Sequence, residues 1–474
     1  MFFSRRKLLS AGAALPFAGA ARAATPVTIR VDSSRYSGVI LPDYTGLGYE
    51  ISSVAVPGLL SARNKPYFQL VDNLSRHEVA DKRGVIRIGG NTSDFSTYAP
   101  NGTPVSAPKG TVVTEANLVE LGTFLDALHW TLIWGLNLGA DQLDNAVEEA
   151  RAVDRILGQR LIAFQIGNEP DLFRQNGHRP ADYDYDAWLK DYRRYKTAIR
   201  AVLPHARFAG PDLAANPDWM TRFARDEGHD IALLTAHHYV AGQATPTATE
   251  ATLLTQDAKY QNALASYRQA SLSVGKAWRM CETNSFHGGG KEGVSDTFTA
   301  ALWTLDYLFV LASYGCAGVN METGVNHLGR ISYYTPIGDD LRGRYTATPE
   351  YYGLLAFAQM PSGNMARVII EAEGVNLTAW AVTDMRRNEL AIAIINKDAG
   401  QDAEVSVQAG GRSRGRTLRL TGPSLAAKDG VMLGGVEVAA DGTWTGAKYE
   451  PVRVAGDGAA VHVPAASAAL VWLS

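Results

Sequence analysis

A chain of 474 residues, 46% hydrophobic, with 45 basic against 48 acidic side chains, has the composition of a soluble protein with room for one large domain and a smaller one. The formal net charge of −3 excludes the basic excess of a nucleic-acid binder and gives no acidic tail for a cationic partner. Beyond the N-terminus no apolar run reaches membrane-spanning length.

Ser4-Arg5-Arg6-Lys7-Leu8-Leu9 sets paired arginines ahead of an apolar run over residues 8–20, and Ala21-Arg22-Ala23 offers small residues at the two positions a signal peptidase reads. Residues 1–23 therefore read as a bacterial Tat-type export signal rather than a basic tail with an apolar anchor. The mature chain is expected to begin near Ala24 and to be periplasmic or secreted, with no membrane contact once the signal is removed.

Val27, Ile29 and Val31 alternate with polar neighbours, a lone strand within residues 24–40. From there to residue 360 short apolar segments alternate with helical ones. Eight strand-like segments fall at 44–50, 84–91, 132–138, 161–166, 206–211, 231–239, 277–281 and 317–322. Helices are expected over 114–130, with Thr114 as N-cap and Leu118, Leu121, Phe124, Leu125 and Leu128 on one face; along Trp188, Tyr192, Tyr195, Ile199 and Val202, closed by Pro204; and over 295–314. This alternation predicts an α/β fold, a (β/α)8 barrel over residues 41–360, with a doubly wound open sheet as the alternative. Gly46-Leu47-Gly48 lacks the third glycine and the following helix of a dinucleotide site.

From about Pro361 long helical periodicity gives way to short alternating segments around Leu377, Ile392, Val405, Leu418, Val461 and Leu470, separated by Gly, Asp and Asn. Residues 361–474 read as a β-sandwich packed on the barrel, which the strand in 24–40 joins. Cys281 and Cys316 either bridge or stay as buried thiols, and neither has metal-site or CxxC spacing.

In a barrel, polar residues ending the strands gather at one mouth: Glu50, Asn91, Asn137, Asn168, Glu169, His237, His238, Tyr239, Glu282 and Glu322. Gln165-Ile166-Gly167-Asn168-Glu169-Pro170 and Met280-Cys281-Glu282-Thr283-Asn284 share one pattern, an apolar strand ending in a glutamate with an amide nearby. By strand count these glutamates close the fourth and seventh strands and face each other. Such a pair cleaves glycosidic bonds: Glu169, its pKa raised by the neighbouring anion, serves as acid and then base, and ionised Glu282 as nucleophile. A separation of about 5–5.5 Å means retention of configuration, and about 6.5–9.5 Å inversion. His237-His238 places only one ring in the mouth and completes no metal motif; no metal and no cofactor is expected. Trp134, Trp219 and Trp278 are assigned to core packing, ahead of stacking on a sugar ring.

Gly167-Asn168-Glu169-Pro170-Asp171, Glu282-Thr283-Asn284-Ser285 with Gly288-Gly289-Gly290, and Arg87-Ile88-Gly89-Gly90-Asn91 resemble glycoside hydrolase family 79, the β-glucuronidases and heparanases with a retaining barrel and an attached β-sandwich. The resemblance implies Glu169 as acid/base, Glu282 as nucleophile, Asn168 on the sugar 2-hydroxyl and Tyr239 against the nucleophile, the last with an aromatic lid as alternative. Arg87 either steadies Glu282 or pairs with a buried acid. Asn91 and Glu50 complete the sugar contacts. A uronic acid carboxylate would be held by the loop after the nucleophile, here His287, Gly288 and Gly289, with a tyrosine of the pair Tyr333-Tyr334, taken as Tyr334, from the last barrel loop. His287 stands where the family has tyrosine, which leaves a neutral sugar open. The expected partner is a carbohydrate, a glucuronide or uronic-acid glycan cleaved from its end, and the oligomeric state is not legible. The alternatives are a heparanase-like endo-β-glucuronidase, though no dense basic strip is visible, and a non-catalytic carbohydrate-binding barrel.

Overall fold

The computed structural model describes residues 24–255, 258–384, 387, 389–408, 410–456 and 458–474; the export signal expected over 1–23 lies outside the described residues. Eight parallel strands close a barrel in the order expected: Thr45–Glu50, Val85–Gly89, Thr131–Leu136, Leu161–Ile166, Phe208–Leu213, Leu233–Gly242, Trp278–His287 and Cys316–Glu322, called here the first to eighth barrel strands. Four of the eight are buried along their whole length, so their sequences run apolar instead of alternating. Val85, Ile133, Ala163, Ala209, Leu233 and Cys281 form a small apolar cluster of their own among these strands. The Gly46-Leu47-Gly48 glycines serve close packing. A Cβ on Gly46 would stand 2.6 Å from the Asn320 amide and 2.7 Å from the Arg279 guanidinium, which bridge this side of the barrel.

The helix Glu115–Leu128 starts where its cap predicts: the Thr114 hydroxyl accepts from the Asn117 N–H, and the Asn117 side chain accepts from the Thr114 N–H. Tyr185–Val202 and Phe298–Ser313 also stand as expected. Leu143–Leu157, Pro217–Glu227 and Ala258–Val274, which the periodicity did not single out, are further helices between the barrel strands. The first of these buries Ala146, Ala150 and Ala152, a stripe too small to register as an apolar face.

The C-terminal strands and the N-terminal strand Thr25–Ile40 make one eleven-stranded sheet. Thr25–Ile40 lies between Gly363–Ala372, antiparallel, and Ala403–Gln408, parallel. The sandwich is thus one sheet curled on itself. Val27, Ile29, Ile392, Ile394, Val405, Val461 and Val471 fill its inside, while Ala391, Ala393, Ile395, Leu470 and Trp472 belong to the same core as the barrel's outer helices. Cys281 and Cys316 are free and buried, which decides between the two readings of the pair. Trp134, Trp219 and Trp278 are buried in the core. No helix among the described residues is long and apolar enough to cross a membrane.

Candidate active site

The fourth barrel strand ends in a strained turn. Gly167 (φ 80°) and Glu169 (φ 52°) both adopt left-handed conformations, and the Glu169 N–H donates to the Asp212 carbonyl at 3.0 Å. For glutamate this conformation costs about 1–3 kcal/mol, so its surroundings must impose it. Asp94 does much of this: its carboxylate accepts from the N–H groups of Leu138, Gly139 and Asn168 at 3.1, 2.8 and 3.0 Å, tying two strand exits together. Burial lifts the Asp94 carboxyl to about 7 despite those donors.

Glu282 lies within the seventh strand. One oxygen accepts from Arg87 Nη1 at 2.8 Å, the other from the Tyr239 hydroxyl at 2.8 Å. Tyr239 therefore touches Glu282, as the resemblance implied. Arg87 meets both of its expected roles at once, since Nη2 also donates to Asp212 at 2.7 Å and to Asn168 Oδ1 at 2.8 Å. Behind the pair stands His237, with Nε2 2.8 Å from Asp212, and Nδ1 3.1 Å from Glu169 and 3.8 Å from Glu282. Burial alone would lower its pKa, but the charges of Asp212 and Glu282 outweigh this and push it up to about 10. His237 is then an imidazolium at neutral pH and donates from both nitrogens. Burial would raise Asp212, but the charges of His237 and Arg87 hold its carboxyl at about 2.

Glu169 is raised above the ordinary carboxylate range, first by burial and then by the charge of Glu282, against the hydrogen bond from His237. Burial contributes more to this rise than the neighbouring anion the sequence pointed to. An oxygen of Glu169, an oxygen of Glu282 and a nitrogen of His237 all lie within 4.8 Å of one another. The set is ill suited to a cation: His237 is protonated on both nitrogens, and the Arg87 guanidinium sits on Glu282.

These groups open into a cavity of about 520 Å³ that Glu50, Asn91, His287, Gly288, Gly289 and Tyr334 also line. Glu50 accepts from the N–H groups of Asn91 and Thr92 and from the Thr92 hydroxyl, at 3.2, 2.7 and 2.6 Å. Burial first, then the charge of Glu282, raise it to about 7. Gly288, Gly289 and Gly290 have φ of 94°, 109° and 84°, a run of left-handed residues that only glycine adopts readily. The N–H groups of Gly288 and Gly289 have no partner among the described residues. Tyr334 stacks against Tyr239, ring centres 6.0 Å apart, whereas Tyr333 turns away and bonds Glu292.

Two of the residues expected at the mouth sit elsewhere, and a third is set back behind it. His238 faces outward and stacks on Tyr260 at 3.5 Å, as alternation along a strand requires. Asn137 braces its loop, donating to the Ser96 carbonyl and accepting from the Ala140 N–H. Asn168 is set back from the cavity surface: its Oδ1 is held by Arg87, and its buried Nδ2 has no partner among the described residues. The sequence reading missed Asp212, because the expected fifth strand stopped at Pro211, one residue short of the same strand-end acid signal used for Glu282. It also missed Leu172, Asn176, Ala214, Ala215 and Arg330 in the cavity wall, which carry no pattern of their own.

The arrangement pairs a buried acid of raised pKa with a second carboxyl group held by an arginine and a tyrosine, the equipment of glycosidic bond cleavage. Residues 358–470 match the model of the glycosyl hydrolase family 79 C-terminal beta domain. A β-glucuronidase of Aspergillus niger is 27% identical over 410 residues, covering 79% of this chain and 72% of the relative. A heparanase of Gallus gallus is 26% identical over 277 residues, 56% of this chain and 51% of the relative. A solved 4-O-α-L-rhamnosyl-β-D-glucuronidase from Fusarium oxysporum shares the fold, with a TM-score of 0.79 over 94% of this chain and 99% of that one, at 20% identity. With the barrel and curled sheet in agreement with these likenesses, the chain carries a family 79 C-terminal beta domain, is similar to the β-glucuronidases and heparanases, and is a glycoside hydrolase.

Proposed function

We propose that this chain is an exported, exo-acting β-glucuronidase that releases terminal glucuronic acid by double displacement with retained configuration. The observation that carries the reading is the Glu169–Glu282 pair, with oxygens within 4.8 Å of each other, beside a loop suited to a carboxylate. Glu282, steadied by Arg87 and Tyr239, attacks the anomeric carbon while Glu169 gives its proton to the departing oxygen. Glu169 then takes a proton from the water that releases the sugar. Retention is the reading taken for this pair: retaining carboxyl groups stand about 5–5.5 Å apart and inverting ones about 6.5–9.5 Å, to admit a water. The unpartnered Asn168 Nδ2 is suited to the 2-hydroxyl, where a hydrogen bond strengthens in the transition state.

A uronate carboxylate needs donors and an absence of facing anions. His287, the N–H groups of Gly288 and Gly289, the Tyr334 hydroxyl and Arg330 line the cavity and supply donors. The raised pKa of Glu169 and Glu50 reduces the negative charge facing it. The name of the Aspergillus niger relative supports the same sugar. Arg330 is the one arginine or lysine among the described lining residues, which weighs against a sulfated polymer and so against endo action on one. Export rests on the twin arginines and the Ala21-Arg22-Ala23 site.

The test compares kcat/KM for an aryl β-glucuronide and the β-glucoside with the same aglycone, and follows the first-formed anomer by proton NMR. The glucuronide is expected to lead by about 100-fold or more, because buried donors reject a sugar that leaves them unpaired. The β-anomer is expected first. A ratio near one points to a neutral sugar, and an initial α-anomer contradicts retention.

A further inference from the structure

Glu322 ends the eighth barrel strand, lines the cavity and is 2% exposed. The other acids of the site are well supplied with donors: Glu50 has Asn91 and Thr92, Glu282 has Arg87 and Tyr239, and Asp212 has Arg87 and His237. No hydrogen bond reaches the Glu322 side chain among the described residues, and its Oε2 is fully buried. Folded proteins rarely leave a buried polar group in that state without a use for it. Space is kept for it by Gly48 on the neighbouring first strand, where a Cβ would stand 2.9 Å from Oε2.

Its place round the barrel says what it meets. Glu322 and Glu50 end adjoining strands, while Glu169 follows the fourth strand across the mouth. Glu169 must stand beside the leaving oxygen, so the arc carrying Glu322 faces ring positions remote from the bond that breaks. We infer that Glu322 is a sugar-binding residue that hydrogen-bonds a ring hydroxyl on the non-reducing side, so that the substrate must present this hydroxyl unsubstituted. The inference rests on the assignment of Glu169 as the acid. Glu282, Glu50, Arg87 and His237 are the charged groups around Glu322. Burial, then the charges of Glu282 and Glu50, keep its carboxyl well above the ordinary range, against Arg87 and His237. This direction favours the neutral carboxyl, which both donates to and accepts from a hydroxyl.

The experiment measures kcat/KM for wild type, Glu322→Ala, Glu322→Met and Glu322→Gln on the aryl glycoside that the enzyme turns over best and on its 2-, 3- and 4-deoxy forms. Glu322→Ala is expected to lose about 10- to 100-fold on the parent sugar, and almost nothing further on one of the deoxy sugars. Glu322→Met repeats the test at near-native volume should the alanine variant fold poorly. Glu322→Gln, which keeps a donor and an acceptor, recovers most of the activity. An unchanged parent kcat/KM, or the same loss on every deoxy sugar, overturns the inference. If glucosides rather than glucuronides prove to be the substrates, the glucuronidase reading fails while this test runs unchanged on the glucoside series.

Discussion

Replacing His237 by phenylalanine keeps a ring of similar size and removes both nitrogens. Two contacts go: Nδ1 to Glu169 at 3.1 Å and Nε2 to Asp212 at 2.8 Å. In the native site His237 favours the charged form of Glu169 and so opposes the effect of burial. A hydrogen bond between charged partners is worth about 1.5–3 kcal/mol, which at about 1.4 kcal/mol per pH unit corresponds to one to two pH units. The proton of Glu169 is needed in the first step, so the alkaline limb of kcat/KM reports its ionisation. That limb is expected to move up by about one to two pH units in His237→Phe, read on a substrate with an unactivated alkyl aglycone. The variant also changes stability with pH. His237 has a folded pKa of about 10 against the ordinary 6.5, so its contribution is fully present below pH 6.5 and lost as pH rises through 10. The Tm gap between wild type and variant should therefore narrow across that window. An alkaline limb that stays in place or moves down would refute the coupling between His237 and Glu169.

Glu169→Ala should hurt unactivated leaving groups far more than activated aryl ones, by about 100-fold or more, since only the former need the proton; equal losses on both argue against Glu169 as the acid. Glu149 tests the electrostatics away from the site: its Oε1 accepts from Trp134 Nε1 at 3.0 Å, Oε2 has no partner among the described residues, and burial lifts it to about 8. A folded pKa above the ordinary 4.5 means stability present below pH 4.5 and lost as pH rises through 8. Glu149→Gln is expected to raise Tm by a few degrees at pH 8 and to leave it nearly unchanged at pH 4.5; an equal shift at both pH values, in thermal melts, contradicts this. Tyr239→Phe removes one 2.8 Å hydrogen bond from Glu282 and should lower kcat by about tenfold or more while the fold melts normally.

Much of the barrel was legible because its strands are buried on both faces and end in polar residues. Thr114 marked a helix start through its own hydroxyl, and Glu169 and Glu282 stood out as acids where apolar runs stop. The helix Leu143–Leu157 was hidden by its alanines, and Asp212 by an expected strand that ended one residue early. The strand Gly363–Ala372 escaped notice for a related reason: much of its far half is exposed, so it lacks a strong apolar alternation. What no single sequence displays is the network behind the pair. Arg87, Asp212 and His237 come from the second, fifth and sixth strands, and only closure of the barrel brings them together. Against that network, burial is the largest influence raising Glu169, ahead of the charge of Glu282.

Covalent trapping tests the account most directly. A 2-deoxy-2-fluoro glucuronide with a reactive leaving group slows release of the sugar and allows a glycosyl-enzyme to accumulate. Peptide mass analysis of the inactivated protein is expected to find the fluorosugar on Glu282. A label on any other residue, or full turnover without a trapped species and with an inverted product, would contradict a nucleophile at that position.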